Sequence, residues 1–277
     1  MSTQTPSITQ VRDAWDAIAD ACDRHATPQT MAFGEQVLSR LELGRGVRVL
    51  DVAAGSGGLS IPAARTGADV VAVDIAPGMI DRLADRARAE GLTTLEARVG
   101  DGAALDFDDD TFDVAVSMNG VSLFPDLSRG LRELVRVIRP GGRVLIVAFG
   151  PVQHVEFVAF FLGALRATVP ASLPPSNEPM PPFRLADPAT FHRTLQEAGL
   201  RDVSVETATW EMEANSVDHL LDGVLSSNPI ATQLTAGLTD EQFAQMRDVL
   251  DGMLRERSGG QPGAVLHAEM RIGHATV

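Results

Sequence analysis

Residues 47–61 read VRVLDVAAGSGGLSI. An apolar run through Val47, Val49 and Leu50 ends in an acid, Asp51, and the small residues Ala53, Ala54, Gly55, Ser56, Gly57 and Gly58 follow before an amphipathic helix begins. Strand, small-residue turn, helix is the arrangement by which an α/β sheet brings backbone N–H groups close to a ligand at the carboxyl ends of its strands. Residues 70–74, VVAVD, are a second apolar strand ending in an acid. Asp74 falls about twenty residues beyond the turn, where a carboxylate can accept both hydroxyls of a ribose. Together the two segments point to a nucleoside-containing cofactor.

Working outward, strand and helix patterns alternate from residue 47 to residue 150. Strands are expected at 47–52, 69–74, 94–99, 112–118 and 143–149. Helices are expected at 58–66, from Pro77 with an apolar stripe of Met79, Ile80, Leu83, Ala84 and Ala87, and at 128–138. Pro140-Gly141-Gly142 reads as the break between the last helix and the last of these strands. Repeated β-α-β units of this length imply a parallel sheet covered on both faces. Beyond Gly150 the rhythm changes. A helix is expected at 155–168, an extended loop at 170–183 with its six prolines, a helix at 191–198 and strands at 203–210 and 264–272. The intervening 211–262 is too long for a hairpin loop and reads as a helical lid or cap. The chain divides into a helical segment 1–46, a cofactor-binding core 47–150 and a substrate-side part 151–277, all within one domain.

Composition narrows the function classes. Of 277 residues 44% are hydrophobic, enough for a packed core. No run approaches the roughly 18 apolar residues of a membrane span, and the polar first ten residues do not read as a signal peptide. A single cysteine, Cys22, excludes an internal disulfide, and a cytoplasmic location is expected. The net charge of −14 argues against broad nucleic-acid binding, which needs clustered Lys and Arg. The chain has no tyrosine, so no phenol can act as a catalytic acid or base.

Four blocks in order carry a family resemblance: VLDVAAGSGG, VVAVDIAPGMI, GDGAALDFDDDTFDVAVSMNGVSLFPD and LRELVRVIRPGGRVLIVAFG, together spanning residues 47–150. They resemble the class I S-adenosylmethionine-dependent methyltransferases, and are similar to the ubiquinone/menaquinone-biosynthesis and small-molecule branch. The resemblance implies a Rossmann-like α/β fold with a mainly parallel seven-stranded sheet, helices on both faces and a helical cap. It implies S-adenosylmethionine as cofactor and a small-molecule methyl acceptor as partner. It further implies that Ala53, Gly55 and Gly57 let the backbone approach the aminoacyl part, Ala53 standing where the family more often has glycine. By the same resemblance Asp51 reaches the ammonium group, Asp74 the ribose and Ile75 the adenine face. Asp101 and Gly102 lie at the adenine, and Asn119, closing strand four, lies where cofactor and acceptor meet.

Each residue has a plainer reading. An acid at a strand end is often only a cap or turn former. Asp108, Asp109 and Asp110 read as solvated acids in a turn, the histidines are scattered, and no metal is expected. A base is needed only if the acceptor must lose a proton. The candidates are His25, His154, His192 or an acid, with His154 favoured because it follows the fifth strand. Phe124, Phe157, Phe161 and Phe183, with Phe160 and Met180, fit an apolar or aromatic acceptor, although they could equally be helix core. Two other functions stay open, an NAD(P)-binding oxidoreductase and a cofactor binder without catalysis. The oligomeric state, a homodimer included, stays open too.

Overall fold

The computed structural model describes residues 6–170 and 179–277. The chain begins with α1 (Ile8–Ala17), the single turn α2 (Ala19–Ala21), a π-helical turn (Cys22–Ala26) and α3 (Thr27–Leu38). Ser7 and Gln10 cap α1 reciprocally, each side chain bonding the other's backbone N–H. Strands and helices then alternate as β1 (Arg48–Val52), α4 (Ser60–Arg65), β2 (Asp69–Asp74), α5 (Pro77–Ala89) and β3 (Leu95–Val99). They continue as β4 (Phe112–Met118), α6 (Leu127–Arg136), β5 (Ile138–Phe149), α7 (Glu156–Thr168) and α8 (Pro188–Glu197). The chain closes with β6 (Arg201–Ala214), α9 (Val217–Ser227), α10 (Pro229–Thr235), α11 (Asp240–Ser258) and β7 (Ala264–Thr276).

These strands form one seven-stranded sheet in the order β3-β2-β1-β4-β5-β7-β6. The first five run parallel, and β7 is antiparallel to both β5 and β6. From β1 the chain moves outward through β2 and β3, then returns to place β4 on the other side of β1. Ligands of open α/β sheets bind where the order reverses in this way, outside the carboxyl ends of the strands. Strand alternation sends successive side chains to opposite faces. Val49, Val114, Val116, Leu145 and Val147 pack on one face with α3, α4, α7, α9 and α11. Leu50, Val52, Ala115, Val144 and Ile146 pack on the other with α6 and α8.

Three expectations from the sequence need correction. First, α4 begins only at Ser60, because the small residues before it stay in a turn. Second, Pro140-Gly141-Gly142 does not separate helix from strand. Phe112 pairs with Ile138 and Val114 with Arg143, so the segment bulges inside β5, turned by Gly141 at φ 78°. Third, the β6–β7 pairing continues to Ala214 opposite Ala264, which takes residues 211–214 out of the expected insertion. The helices α9, α10 and α11 leave from the end of that hairpin. Of the proline-rich loop expected at 170–183, residues 171–178 lie outside the described residues, and Pro181–Phe183 forms a short 3-10 turn.

Candidate active site

The turn after β1 has a backbone that side chains disfavour. Ala53 and Gly55 both sit in the left-handed region, at φ 56° and 55°, and Gly57 is at φ 111°. Asp74 fixes this shape from the neighbouring strand. Its Oδ2 accepts the Gly55 N–H at 2.8 Å, and its Oδ1 accepts the Ala76 N–H at 2.9 Å ahead of α5. Asn119, after β4, is also left-handed at φ 55°, and a Cβ on Gly120 would come within 2.5 Å of the Ala53 Cβ. From above, α3 presses onto the same turn. The Thr27 and Ser56 hydroxyls share a buried hydrogen bond, and a Cβ on Gly34 would reach the Gly58 carbonyl oxygen at 2.3 Å.

Two of the acids here are buried. Asp51 is 1% exposed, and its Oδ2 accepts the Ser60 hydroxyl at 2.5 Å while its Oδ1 has no partner. Burial, with a smaller push from the neighbouring Asp74 charge, raises its carboxyl to about 7 against the opposing Ser60 bonds. Burial also raises Asp74, opposed by the backbone amides of Ala76, Gly55 and Ile75. Burial pushes the Cys22 thiol up to about 11, so it remains a thiol at neutral pH. The Oδ1 of Asn119 is likewise buried without a partner.

These groups open onto a cavity of about 610 Å³. Asp51, Ala53, Gly55, Asp74, Ile75 and Asp101 line one end, together with Gly102 and Asn119. Gly102 is held against its neighbours, since a Cβ there would meet the Phe124 ring at 2.5 Å and Val52 at 2.7 Å. Gly57 does not line the cavity. Its place is in the turn, where a Cβ would meet Ile61 at 2.8 Å. Phe124, Phe157, Phe161 and Phe183 all line the cavity. The rings of Phe183, Phe149, Phe157 and Trp210 follow one another at centroid distances of 5.9, 5.8 and 6.0 Å.

His154, the favoured candidate base, is not in the cavity wall. It lies in a 3-10 turn after β5, its side chain 54% exposed and its Nδ1 3.0 Å from Glu269 Oε2. His192 on α8 is not in the wall either, whereas His25, in the π-helical turn, is. Asp109 pairs with Arg136, and no cluster with metal-ligating character occurs among the described residues. Besides His25, a candidate base, the N-terminal residues Trp15, Cys22, Thr27 and Thr30 line the cavity, and none of these four was expected there. One signal was available: Ile8, Val11 and Trp15 form an i, i+3, i+7 stripe, and all three line the cavity. Trp210 and Met212 on β6 were missed as well.

Against known families, the model described as a methyltransferase domain matches residues 49–142. Residues 49–142 are a methyltransferase domain. An uncharacterised protein of Mycobacterium bovis is 41% identical over 144 residues, 52% of this chain and 52% of that protein. The chain thus spans about half the length of the first curated relatives it matches. Nocamycin O-methyltransferase of Saccharothrix syringae is 29% identical over 260 residues, covering 89% of this chain and 91% of that protein. The crystal structure of a cyclase shares the fold with a TM-score of 0.63 at 16% identity, covering 98% of this chain and 96% of that one. The methyltransferase domain supplies β1 to β4 and the glycine turn; α3, α7, α9 and β6 lie outside it. No helix among the described residues is long and apolar enough to cross a membrane.

Proposed function

We propose that this chain transfers a methyl group from S-adenosylmethionine to a small, apolar, ring-bearing acceptor. The observation that carries this reading is the continuity of one cavity from Asp74 and Asp101, past Asn119, to Phe161 and Trp210. A polar end and an aromatic end share one cavity, as transfer between two bound molecules requires. The residues fit the cofactor. The partnerless Oδ1 of Asp51 suits its ammonium, and Asp74 keeps lone pairs for two ribose hydroxyls beyond its amide bonds. Ile75 and the Cβ-free Gly102 suit an adenine ring, with Asp101 at its amino edge. An acid before the turn and an acid after β3 have no task in the dinucleotide alternative.

When bound, the cofactor supplies an electrophilic methyl on a sulfonium. The protein aligns the acceptor and keeps water away, which the Phe149, Phe157, Phe161 and Trp210 walls do. Where the acceptor is a hydroxyl, His25 is the imidazole placed in the cavity to take its proton. In this division of labour residues 47–120 serve the cofactor, while the N-terminal segment, Phe149 and residues 151–277 choose the acceptor. The test is calorimetry with S-adenosylhomocysteine and NADH, followed by labelled S-adenosylmethionine with a panel of hydroxylated aromatic acceptors. Saturable S-adenosylhomocysteine binding and label transfer are expected. NADH binding without S-adenosylhomocysteine binding would refute the reading.

A further inference from the structure

A buried carboxylate without a cation is costly, and at its cofactor end this cavity holds two. Asp51 on β1 lies in the field of Asp74 on β2, and no cationic side chain acts on either. The chain contains no lysine. Of the other titratable groups in the wall, Cys22 and His25 come from the π-helical turn and Asp101 follows β3. Asp126 and Arg129, at the start of α6, are exposed. Both oxygens of Asp74 are engaged by backbone amides, whereas Asp51 keeps one oxygen free. That asymmetry is made by Ser60. Its fully buried hydroxyl, at the first residue of α4, holds Oδ2 and leaves Oδ1 as the open acceptor.

We infer that Ser60 is a positioning residue for a ligand's ammonium group, and that arrival of this cation drives a proton off Asp51 into solvent. The inference rests on the methyltransferase reading, whose cofactor carries such a group. The balance is simple: the protonated carboxyl meets a bound ammonium, the O–H bond breaks, and the proton passes to buffer while the carboxylate stays paired. Burial keeps Asp51 protonated in the empty protein below about pH 7. Affinity for the cation therefore rises with pH through this region, at most about tenfold per pH unit. The Asp51→Asn variant isolates the part of this pH dependence that belongs to Asp51.

The experiment is calorimetry of the full chain at pH 6.5 in two buffers of different ionisation heat. The probes are S-adenosylhomocysteine and 5′-methylthioadenosine, which keeps the nucleoside and lacks the amino acid. Proton release is expected with the first, none with the second, and none with either in Asp51→Asn. Ser60→Ala should weaken S-adenosylhomocysteine about tenfold at pH 7 and displace its pH profile upward, because the bond favouring the charged form is gone. Methylthioadenosine should bind this variant unchanged, and Ser60→Thr should restore the profile. Binding of S-adenosylhomocysteine without proton release, or equal weakening of both probes by Ser60→Ala, overturns the proposal. A wild-type protein that binds only methylthioadenosine refutes it while leaving the nucleoside site standing. Binding of neither probe refutes the methyltransferase reading itself.

Discussion

At the carboxyl ends of β1, β2 and β4 the cavity wall is backbone and carboxylate; along β5, α7 and β6 it is aromatic ring and thioether. The first wall is made by local geometry, with left-handed residues at 53, 55 and 119 and acids at fixed distances from strand ends. The second is made by packing, in which Phe157 and Trp210 meet although they are far apart in the chain. One end discriminates by hydrogen bonds, and its tolerance of change is low atom by atom. The other discriminates by shape, and its residues hold the fold together at the same time. Phe161 shows this double duty, being 2% exposed, part of the core, and a cavity-lining side chain.

The largest separation of the two ends should come from Phe161→Ala. Removing a buried ring costs about 3–5 kcal/mol through lost burial and the void left behind. Chemical denaturation should show that loss, while the folded variant still binds S-adenosylhomocysteine with affinity within a few-fold of the parent. A collapse of cofactor affinity in the folded fraction would mean the two ends are not separable. Asp74→Ala is the converse experiment. It leaves the Gly55 and Ala76 amides without an acceptor, at about 1–3 kcal/mol of stability. It also removes the carboxylate proposed to accept the ribose hydroxyls, so on that reading affinity should fall about tenfold to a hundredfold. Unchanged affinity would reduce Asp74 to a turn residue.

The two walls also differ in how readily they are read from sequence. Glycine turns and strand-end acids follow the chain, so the sheet's parallel half and the positions of Asp51, Asp74 and Asp101 were visible in residues 47–150. That Asp74 pins the turn was not visible, because a bond to the Gly55 amide needs the register of β1 against β2. His154 was favoured for its place after β5, which said nothing of its side chain, and that side chain turns to Glu269. His25 was named as a candidate but not favoured, because only the docking of the π-helical turn beside α9 brings it to the cavity. Met212 and Trp210 alternate with outward acids on β6, a pattern that marks a buried face without saying what lies across it.

A third prediction concerns the charge at the polar end. Burial raises Asp51 in the fold to about 7, from the ordinary aspartate value of 3.8, so the folded protein binds its proton more tightly than the unfolded chain. This favours the fold fully below about pH 4, and the advantage is lost as pH rises to about 7. Paired carboxylates such as Glu133 and Asp113 are lowered and slope the other way, so the readout is a difference. The stability of wild type minus that of Asp51→Asn, measured by denaturation without ligand, should fall between pH 4 and 7. The slope cannot exceed about 1.4 kcal/mol per pH unit for one proton. A difference independent of pH would mean Asp51 is already ionised in the empty protein.

The smallest effect belongs to the backbone of the same end. Ala53 stands left-handed at φ 56°, which costs an L-residue about 1–2 kcal/mol, and glycine would be free of that strain. Glycine also gives the unfolded chain more freedom, which takes back about 0.4–1 kcal/mol. The balance predicts that Ala53→Gly stabilises the protein by a few tenths to about 1 kcal/mol. Asn119, at φ 55°, offers a control: asparagine tolerates this region, so Asn119→Gly should gain less. The readout is the denaturation midpoint at unchanged m-value, with S-adenosylhomocysteine affinity measured alongside. Because Gly120 already leaves no room beside the Ala53 methyl, that group packs as well as strains, and its removal opens a small gap. If Ala53→Gly destabilises more than Asn119→Gly, packing outweighs backbone strain at this turn, and the polar end is governed by the same physics as the aromatic one.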